Sequence, residues 1–89
     1  MLTTDITIIN KLGLHARAAA KFVTLASSFE SDVLLKKGPQ EVNGKSIMGV
    51  MMLAASRGTA LELTTDGEDE KDAAKKLTAL INTRFGENE

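Results

Sequence analysis

Eighty-nine residues, 43% hydrophobic and 26% charged, suit one small globular domain with a single core and no deep substrate cleft. Three phenylalanines are the only aromatic residues and the net charge is −1, which argues against base-stacking recognition of nucleic acid and gives no overall attraction to DNA or a membrane surface. With no cysteine and one histidine, disulfides, thiolate chemistry and Cys- or His-rich metal sites are excluded within one chain, and no cofactor is expected.

From Thr4 to Asn10, Ile6 and Ile8 share one face with Thr7 opposite, which predicts a strand. Lys11-Leu12-Gly13 reads as a loop, with Gly13 free to adopt a turn conformation closed to other residues. Ala18, Ala19, Phe22, Val23, Leu25, Ala26 and Phe29 form the stripe of a helix from Ala16 to Ser28, leaving Lys21 and Thr24 to face water. Asp32 to Lys37 predicts a second strand, Gly38-Pro39 a turn, and Gln40 to Asn43 a short third strand around Val42. Ser46 is placed to cap a short apolar helix over Ile47 to Leu53. Ala60 to Thr65 alternates as a fourth strand. Glu68-Asp69-Glu70 loads negative charge onto a last helix start, which the dipole favours. Ala73, Ala74, Leu77, Leu80 and Ile81 form its buried stripe, with Arg84 in its last turn and Gly86 just after.

The order βαββαβα predicts an α+β open-faced sandwich over residues 1–89: a four-stranded antiparallel sheet with three helices on one face. The longest apolar run, Ile47 to Ala55, is interrupted by Gly49 and too short to span a bilayer, and Met1 to Asp5 lacks the basic and apolar regions of a signal peptide. A cytoplasmic location follows as the expectation.

His15 falls where a strand has ended and a helix begins. A helix start exposes N–H groups with no intrahelical partner, so it favours negative charge and keeps a neutral ring nitrogen available as a nucleophile. Arg17, two residues on, is a fixed cation suited to phosphate. Residues 1–57 carry seven Lys/Arg against four Asp/Glu, so a partner meeting the half that holds His15 should be acidic. Lys11, Arg17, Lys21 and Lys45 are the cations that would steer it. A seven-residue helix cannot bury Ile47, Met48, Val50, Met51, Met52 and Leu53 on one stripe, and Met48 is the residue expected at the surface. No acid stands next to His15 in the sequence to orient its ring, which counts against a stand-alone hydrolase.

Gly13-Leu14-His15-Ala16-Arg17 resembles the active-site motif of HPr, the histidine phosphocarrier family of the phosphoenolpyruvate-dependent phosphotransferase system. Asn43-Gly44-Lys45-Ser46-Ile47-Met48-Gly49-Val50-Met51 is similar to that family's second signature. The resemblance implies a carrier, not an enzyme in its own right. His15 would take a phosphoryl group on Nδ1 from enzyme I and pass it to an enzyme IIA component, while Arg17 pairs with the phosphoryl oxygens. Ser46 would be the site of a dedicated kinase. Ile47, Met48 and Met51 match the family's apolar docking patch, and Ala16, Ala20, Lys21 and Lys45 are expected to flank it on a monomer. Ala18 stands where the family usually has proline, which implies a change in loop rigidity or in phosphohistidine lifetime. The alanine, the run from Lys45 to Leu53 and the Gly86-Glu87 tail are also similar to the nitrogen-related branch, NPr, which would act by phosphorylation-dependent binding of target proteins rather than in sugar uptake.

Overall fold

The computed structural model describes residues 1–89. Its strands are β1 (Leu2–Thr7), β2 (Asp32–Lys37), β3 (Gln40–Asn43) and β4 (Ala60–Asp66), and its helices α1 (Ala16–Ser27), α2 (Ile47–Met52) and α3 (Glu70–Asn82). The strands form one antiparallel sheet in the order β1-β4-β2-β3. The expected open-faced sandwich is what the chain adopts.

Strand periodicity decides which side chains enter the core. In β1 and β4, Ile6, Leu61, Leu63 and Thr65 are buried while their neighbours Asp5, Thr7 and Glu62 are exposed. Val33 and Leu35 do the same in β2. Against this face lie the stripes of α1 (Ala18, Ala19, Phe22, Ala26) and α3 (Ala73, Ala74, Leu77, Ile81), all buried. The alanines of α3 let it approach β1 and β4 closely, and those of α1 let it approach α2 and α3; Phe22, with no exposed surface, fills the core beneath α1. Val50 is the one buried residue of α2, and Leu53 follows it into the core.

Two element boundaries and one side-chain contact depart most from the sequence expectation. The first strand begins and ends earlier, at Leu2–Thr7 rather than Thr4 to Asn10. Beyond Thr7 the chain leaves β4 and bonds instead to the loop before it, Ile8 N–H to Thr59 O at 3.0 Å and Gly58 N–H to Ile8 O at 2.7 Å. Second, α3 stops at Asn82, and Arg84 lies outside it. Arg84 and Phe85 both adopt left-handed backbone (φ 58° and 56°), and the short turn Arg84–Gly86 drives the fully buried Phe85 ring back into the core. Third, Lys21 does not simply face water: its ammonium donates to Phe85 O at 2.6 Å, pinning that turn against α1.

The acidic cluster lies at the start of α3 as expected, with Asp69 as N-cap residue and Glu70 in the first turn, and it has a further use. Asp69 makes no side-chain cap on α3. Its carboxylate accepts from Glu30 N–H and Ser31 N–H, each at 2.9 Å, and from the Ser31 hydroxyl, so it fastens the α1–β2 loop to the start of α3. Those donors, the Ser31 hydroxyl foremost and then the Glu30 amide, hold its carboxyl below the usual range. A carboxyl depressed in the folded state adds stability above its unfolded value, about 4, and loses it as pH falls through the folded one. Thermal melts across pH 6 to about 2 should therefore show Asp69→Asn less stable than the native chain near neutrality, with the gap narrowing steadily in acid.

Candidate functional site

The loop from Ile8 to Leu14 is built to present His15. Gly13 turns with φ 68°, and a Cβ there would fall 2.5 Å from Ala55 O and 2.9 Å from Ser56 Cα. The close approach lets Leu14 N–H donate to Ala55 O at 2.8 Å, tying the loop to the segment after α2. Asn10 is wholly buried, and its amide donates to Gly13 O at 2.8 Å. Held from both sides, the chain enters α1 with His15 as N-cap in extended backbone (ψ 177°). Its side chain makes no capping bond to the helix.

The ring is instead fastened from the far end of the chain. His15 Nε2 is hydrogen-bonded to the Glu87 carboxylate, and the other carboxylate oxygen accepts from Asn10 Nδ2 at 3.0 Å. The pair is sheltered but reachable, with side chains 29% and 15% exposed for His15 and Glu87. Asn10 first and His15 second hold the Glu87 carboxyl below its ordinary value. The ring therefore sits between the start of α1 and a carboxylate. The sequence reading named no acid for this histidine, and Glu87 corrects it. Asn10 and Glu87 are the two site residues that reading missed as such. They lie 5 and 72 positions from His15, and no local pattern connects the second to it.

An open groove of about 830 Å³ runs along this pair, lined by Lys11, Leu12, Ala16, Arg17 and the tail from Glu87 to Glu89. The four expected cations differ in how they are held. Lys11 pairs with Glu89 at 3.3 Å, Lys21 with Phe85 O, and Lys45 with Phe29 O at 2.8 Å. Arg17 forms no ion pair and is left free over the groove. Ser46 does cap α2, its hydroxyl accepting from Gly49 N–H at 3.1 Å. That helix presents Met48 and Met52 at 69% and 66% exposure, with Ile47 and Met51 at 41% each. Ala16 is exposed and Ala20 half-buried on the adjoining face of α1. No helix is long and apolar enough to cross a membrane.

The family profile described as "PTS HPr component phosphorylation site" matches residues 2–83. The phosphocarrier protein HPr of Neisseria meningitidis is 61% identical over 89 residues, covering 100% of both chains. That of Pseudomonas aeruginosa is 57% identical over 90 residues, again covering 100% of both. Among solved structures, HPr-C-His from Thermoanaerobacter tengcongensis superposes with a TM-score of 0.96 at 47% identity over 100% of both chains. A dimeric HPr from the same organism superposes with a TM-score of 0.79 at 48% identity, covering 98% of this chain and 100% of that one.

Because Gly13 is both left-handed and in van der Waals contact with backbone, Gly13→Ala should lower stability by at least about 1–2 kcal/mol, the cost of left-handed backbone alone. Urea unfolding measures it, and the ring resonances of His15 should shift as the loop moves off Ala55.

Proposed function

The chain belongs to the HPr family, and from that premise we propose that it is a phosphocarrier of the phosphotransferase system in which His15 is the residue that carries the phosphoryl group. One observation carries this reading: the ring of the N-cap residue is fastened through Nε2, its Nδ1 makes no capping bond, and it lines one groove with an arginine that has no ion-pair partner. In its neutral form, an imidazole that donates from Nε2 to a carboxylate has its lone pair on Nδ1. Phosphoryl transfer asks for in-line placement and charge stabilisation rather than elaborate covalent machinery. The unpaired N–H groups of the first turn and the Arg17 guanidinium supply the second.

The donor in this reading is phosphorylated enzyme I, and the acceptor an enzyme IIA component. Each would dock on the exposed apolar surface of α2, at Ile47, Met48 and Met51, with Ala16, Ala20, Lys21 and Lys45 around it. Lys21 and Lys45 are each held by a backbone carbonyl, so they would orient an acidic partner without swinging free. Ser46 is the regulatory position. A phosphate of about −2 charge is accepted at a helix start but repels an acidic partner from the face beside it. The protein works as a monomeric cytoplasmic carrier of one domain, with no cofactor and no turnover of its own. The nitrogen-branch alternative gains nothing from the relatives described above, which are named as HPr carriers.

Incubation with enzyme I and phosphoenolpyruvate should place one acid-labile phosphoryl group on the chain, detectable by intact mass. His15→Ala should remove it entirely, and a wild-type chain that stays unmodified overturns the reading. Arg17→Ala removes a charge-assisted contact of about 1.5–3 kcal/mol, so transfer should slow about 10- to 100-fold with the fold intact.

A further inference from the structure

The tail residue Glu87 touches the ring on the side away from the proposed phosphoryl site, and this arrangement reaches further than orientation. We propose that Glu87 holds the Nε2 proton on His15 throughout the phosphoryl cycle, so that the phosphorylated ring is a phosphoimidazolium ready to give its phosphoryl group up. The proposal rests on the reading of His15 as the carrier residue and adds what keeps the carrier from becoming a trap.

The atoms and charges balance without a proton acceptor. On loading, the Nδ1 lone pair forms a bond to phosphorus as the donor's bond to phosphorus breaks, and that electron pair leaves with the donor. Nε2 keeps its proton, so the ring gains a positive charge that faces the Glu87 carboxylate. On unloading, the Nδ1–P bond breaks, its electron pair returns to Nδ1, and the ring is again a neutral imidazole with Nε2–H. The leaving group is then a neutral imidazole. Had the phosphorylated ring lost its Nε2 proton, the leaving group would be an imidazolate anion, a far poorer one, and the phosphoryl group would stay.

Geometry gives Glu87 the means to do this. Both its oxygens are engaged, one by His15 Nε2 and one by Asn10 Nδ2, and Asn10 is itself buried and anchored to Gly13 O. The carboxylate is thus held against the ring by the same amide that shapes the loop. Its lowered proton affinity keeps it ionised across the working range of pH. The other charges around the ring divide by element. Arg17 on α1 and Lys11 in the loop line the groove with the ring, Lys11 paired with Glu89 of the tail, while Lys21 on α1 is turned to Phe85 O. Arg57, after α2, and Arg84 line the neighbouring groove, which Lys11 and Glu89 share. Glu87 is the only acid bonded to the ring.

An opposite charge in contact moves a proton equilibrium by about 1–3 pH units. With Glu87→Gln, the phosphorylated ring should therefore lose its Nε2 proton at a pH at least about 1 unit lower than in the native chain. Above both values its hydrolysis and its onward transfer should be about tenfold slower or more. The chain can be phosphorylated with phosphoramidate, a chemical donor that needs no partner protein, and the ring followed by ³¹P and ¹H–¹⁵N NMR across pH. Glu87→Asp, which keeps the charge on a shorter arm, should fall between the two and serves as the second variant if the glutamine chain folds poorly. Native and glutamine chains that carry the group on His15 and lose the ring proton at the same pH overturn the role of Glu87 alone. A native chain that takes no phosphoryl group on His15 overturns the carrier reading beneath it.

Discussion

The burial of Phe85 is the interaction on which the site depends. After α3 the chain has to reverse direction to put that ring into the core, and it does so through two consecutive left-handed residues, Arg84 and Phe85. Neither is glycine, so the turn costs about 1–2 kcal/mol at each. A fully buried phenylalanine returns up to about 3 kcal/mol, and the Lys21 ammonium on Phe85 O adds a charge-assisted bond of about 1.5–3 kcal/mol. The terms are of the same size, so the turn holds because both of its attachments are made. Its consequence lies two residues on. Once Phe85 is seated and Lys21 has clamped its carbonyl, the tail leaves across the start of α1, and Glu87 arrives at His15.

This explains which parts of the molecule were legible in the sequence. The alternation in β2 and β4, the alanine-rich stripe of α1 and the Ser46 cap are local patterns, and each occurs where it was expected. His15 and Arg17 could be singled out because a strand-loop-helix junction is readable from a dozen residues. What could not be read depends on contacts between distant segments. Asn10 looked like the end of a strand and is a buried loop anchor; Glu87 looked like part of a polar tail and is the partner of the ring. Asp69 stands at the start of α3 as its sequence position suggests, and it also ties down the α1–β2 loop. Periodicity reports which face of an element is buried and is silent on where a polar side chain finds its partner.

The placement of polar groups has a common logic. The sheet and three helices bury one apolar layer, and the connections around it have to be held by hydrogen bonds because they contribute little apolar area. Asn10 holds the loop before α1, Asp69 the loop after it, and Lys45 reaches that same turn at Phe29 O. α1 is therefore fixed at both ends by residues from elsewhere in the chain. A phosphoryl site at a helix start needs that rigidity, since the N–H groups it uses cannot reposition once the helix is set.

A carboxylate bonded to a histidine invites comparison with hydrolases, where the same pair activates a third group. There the acid holds the imidazole so that its other nitrogen can take a proton from a serine hydroxyl or a water. The groove along His15 is lined by Lys11, Leu12, Ala16, Arg17, Glu87, Asn88 and Glu89, and contains no hydroxyl or thiol for the ring to activate. With no such group in the lining, the role proposed for the free nitrogen is that of the nucleophile itself. The groove is open rather than closed over the ring, so in the proposed transfer it is a partner's surface that would complete the site and exclude water. An acid, an imidazole and one unpaired arginine on an open face therefore suit the proposed carrier role, in which a phosphoryl group is received and released between two visits.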